Sequence, residues 1–264
     1  LGGLAVGGPL ARSVADAALL LDGMCHGPDR FALRAPRPNV PTSGSFLDAL
    51  DETVGHLRIG WNTWSPWASQ YRIEIGPEAE EALDGTLRLS EKLGHSIEHV
   101  EPASNPEYVE AFRAIWKGGA AGMPLPDEML EHLEPLTGWL IRTGRTRPAG
   151  DLPAALATLA RFESRIIAHY SSYDIVLTPM LSTPPPRFGS FDAADGNRNF
   201  IQQCQFTPFT SYVNVAGLPA ISLPVAQGSL PMAVQTIWRP GDEVTLLRFA
   251  AQLEEVFQLF NGQA

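Results

Sequence analysis

Three short apolar runs limit this chain more than any other feature. They are Asp174-Ile-Val-Leu-Thr-Pro179, Ala220-Ile-Ser-Leu-Pro-Val225 and Met232–Trp238. Each has strand length, and the first stops at a proline, which cannot donate to a sheet ladder. Only Gln227–Pro231 separates the last two, so they pair as a hairpin or as neighbours. Leu57-Arg-Ile-Gly-Trp61 and Ser96–Val100 read as two further strands.

Helical patterns fill the intervals. Ser13-Val-Ala-Asp16 is a capping box with Asp in place of Glu, opening a helix to about Met24. Its apolar positions (Val14, Ala17, Ala18, Leu21, widened by Leu19 and Leu20) predict a helix buried on most sides. Pro77–Leu93 has proline in its first turn, acids early and Gly94 as its stop. Asn105–Tyr173 reads as helical, with helices beginning at Asn105-Pro106, Asp127 and Asp151. A helix runs through Gln202–Phe206, and Asp242 caps a last one to about Phe260. Strand–helix alternation predicts an α/β fold with a mixed sheet flanked by helices. The expectation is one domain over residues 1–264, with about 105–170 as a helical excursion.

The chain has 24 glycines and 23 prolines among 264 residues, well above ordinary usage. With charged residues at only 18%, this predicts turned, packed loops rather than a flexible linker. A net charge of −10 argues against nucleic-acid or anionic-membrane partners, which need a basic face. No apolar run is long enough for a membrane span, and Leu1–Leu10 lacks the form of a signal peptide. Two cysteines, Cys25 and Cys204, make no disulfide framework and sit near no charge that would favour a thiolate. The frame is an acidic, cytoplasmic protein without metal or cofactor.

Generic catalytic motifs are largely missing: there is no Gly-x-Ser-x-Gly, Walker A or Gly-x-Gly-x-x-Gly. His95-Ser-Ile-Glu-His99 fits a zinc-protease pattern, but that chemistry needs a helix. On a strand the two imidazoles stand about 13 Å apart, so a solvated strand edge is the better reading. His169 is the best candidate base for an unrelated triad, against the simpler reading of a cation at a helix end. Trp61, Trp64 and Trp67 could line a ligand mouth; a loop folded on its own side chains is favoured.

Gly8-Pro-Leu-Ala-Arg-Ser-Val-Ala-Asp-Ala-Ala-Leu-Leu-Leu-Asp22 resembles the segment downstream of the nucleophile in the amidase signature family, the Ser–cis-Ser–Lys amidohydrolases. Two blocks follow in the family's order. Tyr173–Pro179, with the proline-rich loop to Gly189, is similar to the family's strand and substrate-side loop. Phe206–Pro224 is similar to its Asn-x-x-Gly-x-Pro-Ala stretch, continued by Leu230–Gln235, Arg239–Glu243 and the terminal helix. Departures are Trp238 where the family usually has glycine, Met232-Ala233 where Val-Gly is common, and a short turn at Gln227-Gly-Ser229.

The resemblance implies hydrolysis of a small-molecule amide, with Thr207, Asn214, Gly217 and Pro219 on the substrate side. Read as residues alone, Gly217 and Pro219 make a sharp, side-chain-poor turn and Asn214 can hold it. Asp16 suits the start of its helix. The family's Lys, cis-Ser and Ser lie N-terminal to the block that begins here at Gly8. Lys92 and Lys117 stand in no family lysine context, so no catalytic residue is assigned within this chain. The implied chain is the C-terminal portion of an amidohydrolase, inactive alone. Its sheet would be covered by an N-terminal portion or a partner chain, and a homodimer is open. The alternative is a non-catalytic partner, like the amidase subunit of an aminoacyl-tRNA amidotransferase.

Overall fold

The structure, a computed structural model, describes residues 4–25, 44–227 and 230–261. The turn at Gln227-Gly-Ser229 therefore lies partly outside the described residues. Five strands form one sheet in the order β2-β1-β3-β5-β4: β1 Arg58–Trp61, β2 Ser96–His99, β3 Ile175–Pro179, β4 Ala220–Gln227 and β5 Pro231–Ile237. β1 is parallel to both β2 and β3, while β5 is antiparallel to β3 and β4. The sheet is mixed, and the last two strands form the expected hairpin. β3 lies at its centre and is buried throughout, as its apolar run requires.

Alternation along the strands sends side chains to two helix layers. Ile59, Ile175, Leu177 and Val234 face α1 (Val14–Cys25), α2 (Pro77–Lys92) and α8 (Glu243–Asn261) in one aliphatic core. Val176 and Ile237 face the opposite layer, made by α3 (Tyr108–Ala121), α5 (Asp151–Tyr170), α6 (Gly196–Phe206) and α7 (Ser211–Val215). α4 (Pro135–Arg145) packs on α3 and α6.

Local signals set most helix ends. Gly94 takes φ +93° just past α2, and Asp242 Oδ1 accepts from the Thr245 hydroxyl at 2.9 Å at the start of α8. Asp242 also takes the Trp238 indole N–H at 2.7 Å, which gives that departure from the family pattern its own anchor. Gly60 faces Val100 and Tyr173, where a Cβ would approach Val100 Cγ1 to 2.7 Å, so the strand needs a glycine there.

Four expectations need correction. Asp127 opens only a short 3₁₀ segment, Asp127–His132; the α-helix starts at Pro135, which supplies a fixed first-turn φ. α1 is not buried on most sides: only Val14 and Ala18 are, while Leu19, Leu20 and Met24 are exposed, because α1 packs chiefly on α8. Its Ser13 cap does accept from Asp16 N–H at 3.1 Å, and Glu254 of α8 accepts from Val14 N–H at 3.0 Å. His95 is not solvated. It is buried, Nδ1 accepts from Leu57 N–H at 3.2 Å and Nε2–H donates to Gln252 at 2.9 Å. Finally, the Trp64–Trp67 loop folds on itself only in part: Trp67 stacks on Tyr71, but Trp64 and Trp67 also enter the core among Tyr108, Phe112, Phe162, Phe200 and Tyr212.

Candidate functional site

In open α/β sheets the carboxyl ends of parallel strands are where a crevice forms. Here β1 and β3 end together: Asn62 N–H donates to Leu177 O at 3.1 Å, just past Trp61. Asn62 is fully buried. Its Oδ1 accepts from Trp64 N–H at 3.1 Å, making a local turn, and its Nδ2 donates to the Tyr170 hydroxyl at 3.2 Å. The Tyr170 and Tyr212 hydroxyls stand 3.3 Å apart, and Tyr108 donates to Ser211 at 2.9 Å.

Beyond these strand ends runs the connection from α6 to α7, which contains Thr207. The last carbonyl of α6 and two carbonyls of the connection accept from the sheet side. Phe206 O takes Ser182 N–H at 3.0 Å, Pro208 O takes the Ser65 hydroxyl at 2.7 Å, and Phe209 O takes Gln235 Nε2 at 3.0 Å. Gln235 also donates to Thr178 Oγ1 at 3.1 Å. Buried carbonyls need such partners, so the connection has one conformation. Thr207 itself is half-buried, and its hydroxyl donates back to Gln203 O at 3.0 Å.

Asn214, Gly217 and Pro219 lie at the far end of α7. Gly217 takes φ +60°, its N–H reaches Asn214 O at 3.1 Å, and Leu218 N–H reaches Val213 O at 3.1 Å. That pair of bonds is a Schellman ending, which puts glycine in the left-handed region. No atom lies within 4 Å of a Cβ built there, so φ rather than a close backbone approach demands the glycine. Asn214 holds this turn through its carbonyl only; its side chain ties down the N-terminal segment, donating through Nδ2 to Leu4 O at 3.1 Å. Pro219 O accepts from Trp238 N–H at 3.1 Å, which starts the hairpin. Thr207 and the Asn214–Pro219 turn thus flank α7 and are held by different partners. Beside Leu218 opens an apolar cavity of about 160 Å³, walled by Tyr170, Tyr173, Val176, Ile237 and Trp238, at the amino end of β3.

The hydroxyls here are not prepared nucleophiles. Burial pushes the Tyr170 phenol up to about 12 and holds Tyr108 and Tyr212 well above their ordinary value. Burial likewise pushes the Cys204 thiol up, in keeping with an inert cysteine. His169 is exposed on the last turn of α5 against the Tyr170 ring, and among the described residues no serine or aspartate hydrogen-bonds it. His95 and His99 have separate partners, His99 packing on the edge of Trp61, and no group of metal-ligand type occurs among the described residues. Lys92 ends α2 in an exposed position, and Lys117 lies within α3 over the Trp139 ring. Among the described residues neither lysine hydrogen-bonds a serine, and there is no cis peptide.

Ser65, Asn62 and Tyr170 build this site from distant parts of the sequence and left no local mark. Gln235 did leave one, as an uncharged polar residue inside an apolar strand.

A mixed sheet between two helix layers, with this pinned connection and hairpin, is the fold of an amidase. The chain belongs to the amidase family, whose family model matches residues 2–247. It is 33% identical to the protein named “Putative amidase” of Synechocystis sp., covering 97% of this chain and 48% of that protein. It is 31% identical to “Putative amidase AmiB2” of Mycobacterium tuberculosis, covering 96% and 52%. The chain therefore spans about half the length of these relatives. Among solved structures, 6-aminohexanoate cyclic dimer hydrolase superposes with a TM-score of 0.80 at 24% identity, over 94% of this chain and 54% of that one. No helix among the described residues is long and apolar enough to cross a membrane.

Proposed function

We propose that this chain serves an amidase that hydrolyses a carboxylic amide by Ser–cis-Ser–Lys acyl transfer, with the three catalytic residues supplied by sequence N-terminal to it. The serine attacks the amide carbonyl, the lysine moves its proton through the second serine to the leaving amine, and backbone N–H groups hold the oxyanion. Water then releases the acid. The single observation that carries this reading is the family match over residues 2–247. It is supported by the absence, among the described residues, of any serine hydrogen-bonded to Lys92 or Lys117. Thr207, Asn214, Gly217 and Pro219 take the part of a substrate-side wall, their backbone fixed by Ser65, Gln235 and the Schellman turn.

One structural feature favours a covering segment. β4 is an edge strand of eight residues, and Leu19, Leu20 and Met24 of α1 are exposed. Open edges and apolar patches invite pairing. The upstream portion of an amidase, or a partner chain, would cover them.

The test is amide turnover, read as ammonia or acid released, by the 264-residue chain and by the same chain preceded by the upstream coding sequence of its gene. Turnover is expected only from the longer protein. An amide turned over by the 264-residue chain, and blocked by a serine-directed inhibitor, would overturn the placement of the triad. A longer protein inert on every amide tried would overturn the activity.

A further inference from the structure

The apolar cavity beside Leu218, of about 160 Å³, is held open by fixed walls. Each of its three aromatic rings is fastened. The Tyr170 hydroxyl meets the Asn62 amide at 3.2 Å and the Tyr212 hydroxyl at 3.3 Å. The Tyr173 ring lies against Gly60, where a Cβ would come to 3.1 Å from it, and carries the Arg58 guanidinium at 4.9 Å. The Trp238 indole N–H donates to Asp242 at 2.7 Å, and the Arg239 guanidinium covers the indole ring at 4.3 Å. Val176 and Ile237, partners across β3 and β5, close the cavity from the sheet. Walls tied in this way do not collapse, so their atoms forgo dispersion contacts until something fills the space.

The cavity gives water little to hold. The polar groups of Tyr170 and Trp238 are already engaged, the Ser171 hydroxyl donates to Ala168 O at 2.8 Å, and Tyr173 N–H donates to Tyr170 O at 3.0 Å. Charges around it come in pairs, Arg239 with Asp174 at 3.8 Å and Arg58 with Glu98 at 2.6 Å. A buried water needs about two to four polar partners, so an apolar guest is favoured over solvent. A charged guest would lose its hydration and gain no unpaired countercharge. Ile167 on α5 and Ser171 at its end line the cavity and are exposed, so its mouth opens to solvent beside them. An apolar cavity of about 150 Å³ takes benzene, which sets the size of the guest at one ring.

We propose that this cavity is a binding site for a neutral, single-ring aromatic molecule, packed against the rings of Tyr170, Tyr173 and Trp238. Aromatic walls favour an aromatic guest, which can stack or meet them edge to face. The cavity lies at the amino end of β3, whereas Asn62 and the α6–α7 connection lie past its carboxyl end. The guest is therefore not the scissile amide, and its binding does not depend on the amide reading. Tyr170 spans the two places, with its ring in the cavity wall and its hydroxyl on Asn62.

The probe is fluorobenzene, read by ¹⁹F NMR on the 264-residue chain and on the same chain preceded by the upstream coding sequence of its gene. Its signal should broaden saturably with both proteins and recover when benzene is added, while that of 4-fluorobenzoate should not respond. Ile167→Trp and Ser171→Phe add bulk at the mouth from exposed positions, and each should abolish the saturable broadening. Leu156→Trp, at an exposed position of the same helix that does not line the cavity, should leave it intact. Fluorobenzene should also raise the urea midpoint of the unsubstituted chain and not that of Ile167→Trp. Broadening that never saturates, or that survives in both mouth variants, would overturn the site. Equal binding of 4-fluorobenzoate would overturn the neutral class. Binding by the 264-residue chain but not by the longer protein would mean that the upstream segment fills the cavity, which overturns a ligand site there. No readout involves amide cleavage, so a failure here is distinct from failure of the amide reading.

Discussion

The two faces of the sheet are built from different chemistry. Toward α1, α2 and α8 the core is mainly aliphatic: Ile59, Leu83, Leu87, Ile175, Leu177, Leu246, Leu247 and Leu253 meet around the rings of Phe46, Trp238 and Phe249. The buried hydroxyls on α2, Thr86 and Ser90, bond back to carbonyls of their own helix. Toward α3, α5, α6 and α7 the core is aromatic and laced with side-chain hydrogen bonds, from Asn62 through Tyr170 to Tyr212 and from Tyr108 to Ser211. Aliphatic packing gives cohesion without direction. A buried hydroxyl network specifies which loop lies where, because each polar group must find its partner. The face that carries Thr207 and Asn214 is thus the richer in buried hydroxyl pairs, while the other relies on aliphatic packing with fewer polar ties, such as His95 to Gln252 and Glu254 to Val14 N–H.

The largest test of that division is Leu177→Ala. Leu177 is fully buried at the centre of the aliphatic face. Its truncation should cost about 3–5 kcal/mol, as for other buried leucines, measured by urea unfolding with unchanged slope. A cost under about 1 kcal/mol would show that this face is not where the cohesion lies.

How much of this was legible in sequence depended on range. Pro77, Gly94, Asp151 and Asp242 mark helix ends because caps and breakers act within a turn, and the strands declared themselves through apolar runs closed by proline. What was not legible is what one segment does to another. His95 is buried because Gln252 of α8 reaches it, and among the described residues α1 packs chiefly on α8, which leaves Leu19, Leu20 and Met24 exposed. Likewise Ser65 finds Pro208 across 143 residues, and Arg113, Lys117 and Trp139 meet only because α3 and α4 pack. Of the candidate site, Gly217 was readable as a turn, whereas the attachment of Asn214 to Leu4 was not.

The aromatic face should show itself in pH dependence, and Leu177→Ala sharpens the contrast. Tyr170 has a folded pKa of about 12 against an ordinary value of 10.0. The raised value means the folded state keeps the proton that the unfolded chain loses between these limits. Stability is therefore fully present below about pH 10 and falls as pH rises toward 12, by roughly 3 kcal/mol for Tyr170 alone. Tyr108 and Tyr212 shift in the same direction and add to the fall. Urea midpoints at pH 9 and 11 measure it. Tyr170→Phe should lessen the drop, whereas Leu177→Ala should lower both midpoints and leave the drop unaltered. A Leu177→Ala protein that lost the pH dependence would mean that the two faces are not separable.

The smallest effect belongs to the rim of the aromatic face. Gly217 takes φ +60° in open space, so an added methyl group meets no neighbour and pays only for backbone conformation. Gly217→Ala should cost about 1 kcal/mol, and Gly217→Asn less, because asparagine tolerates the left-handed region. The ordering matters more than the size. If Ala and Asn cost the same, φ is not the constraint. If either costs several kcal/mol, the space beside Gly217 is filled in the folded protein, by a segment covering the end of α7 and the cavity next to Leu218. A conformational cost near 1 kcal/mol for Ala, with Asn milder, shows that backbone conformation alone requires the glycine there.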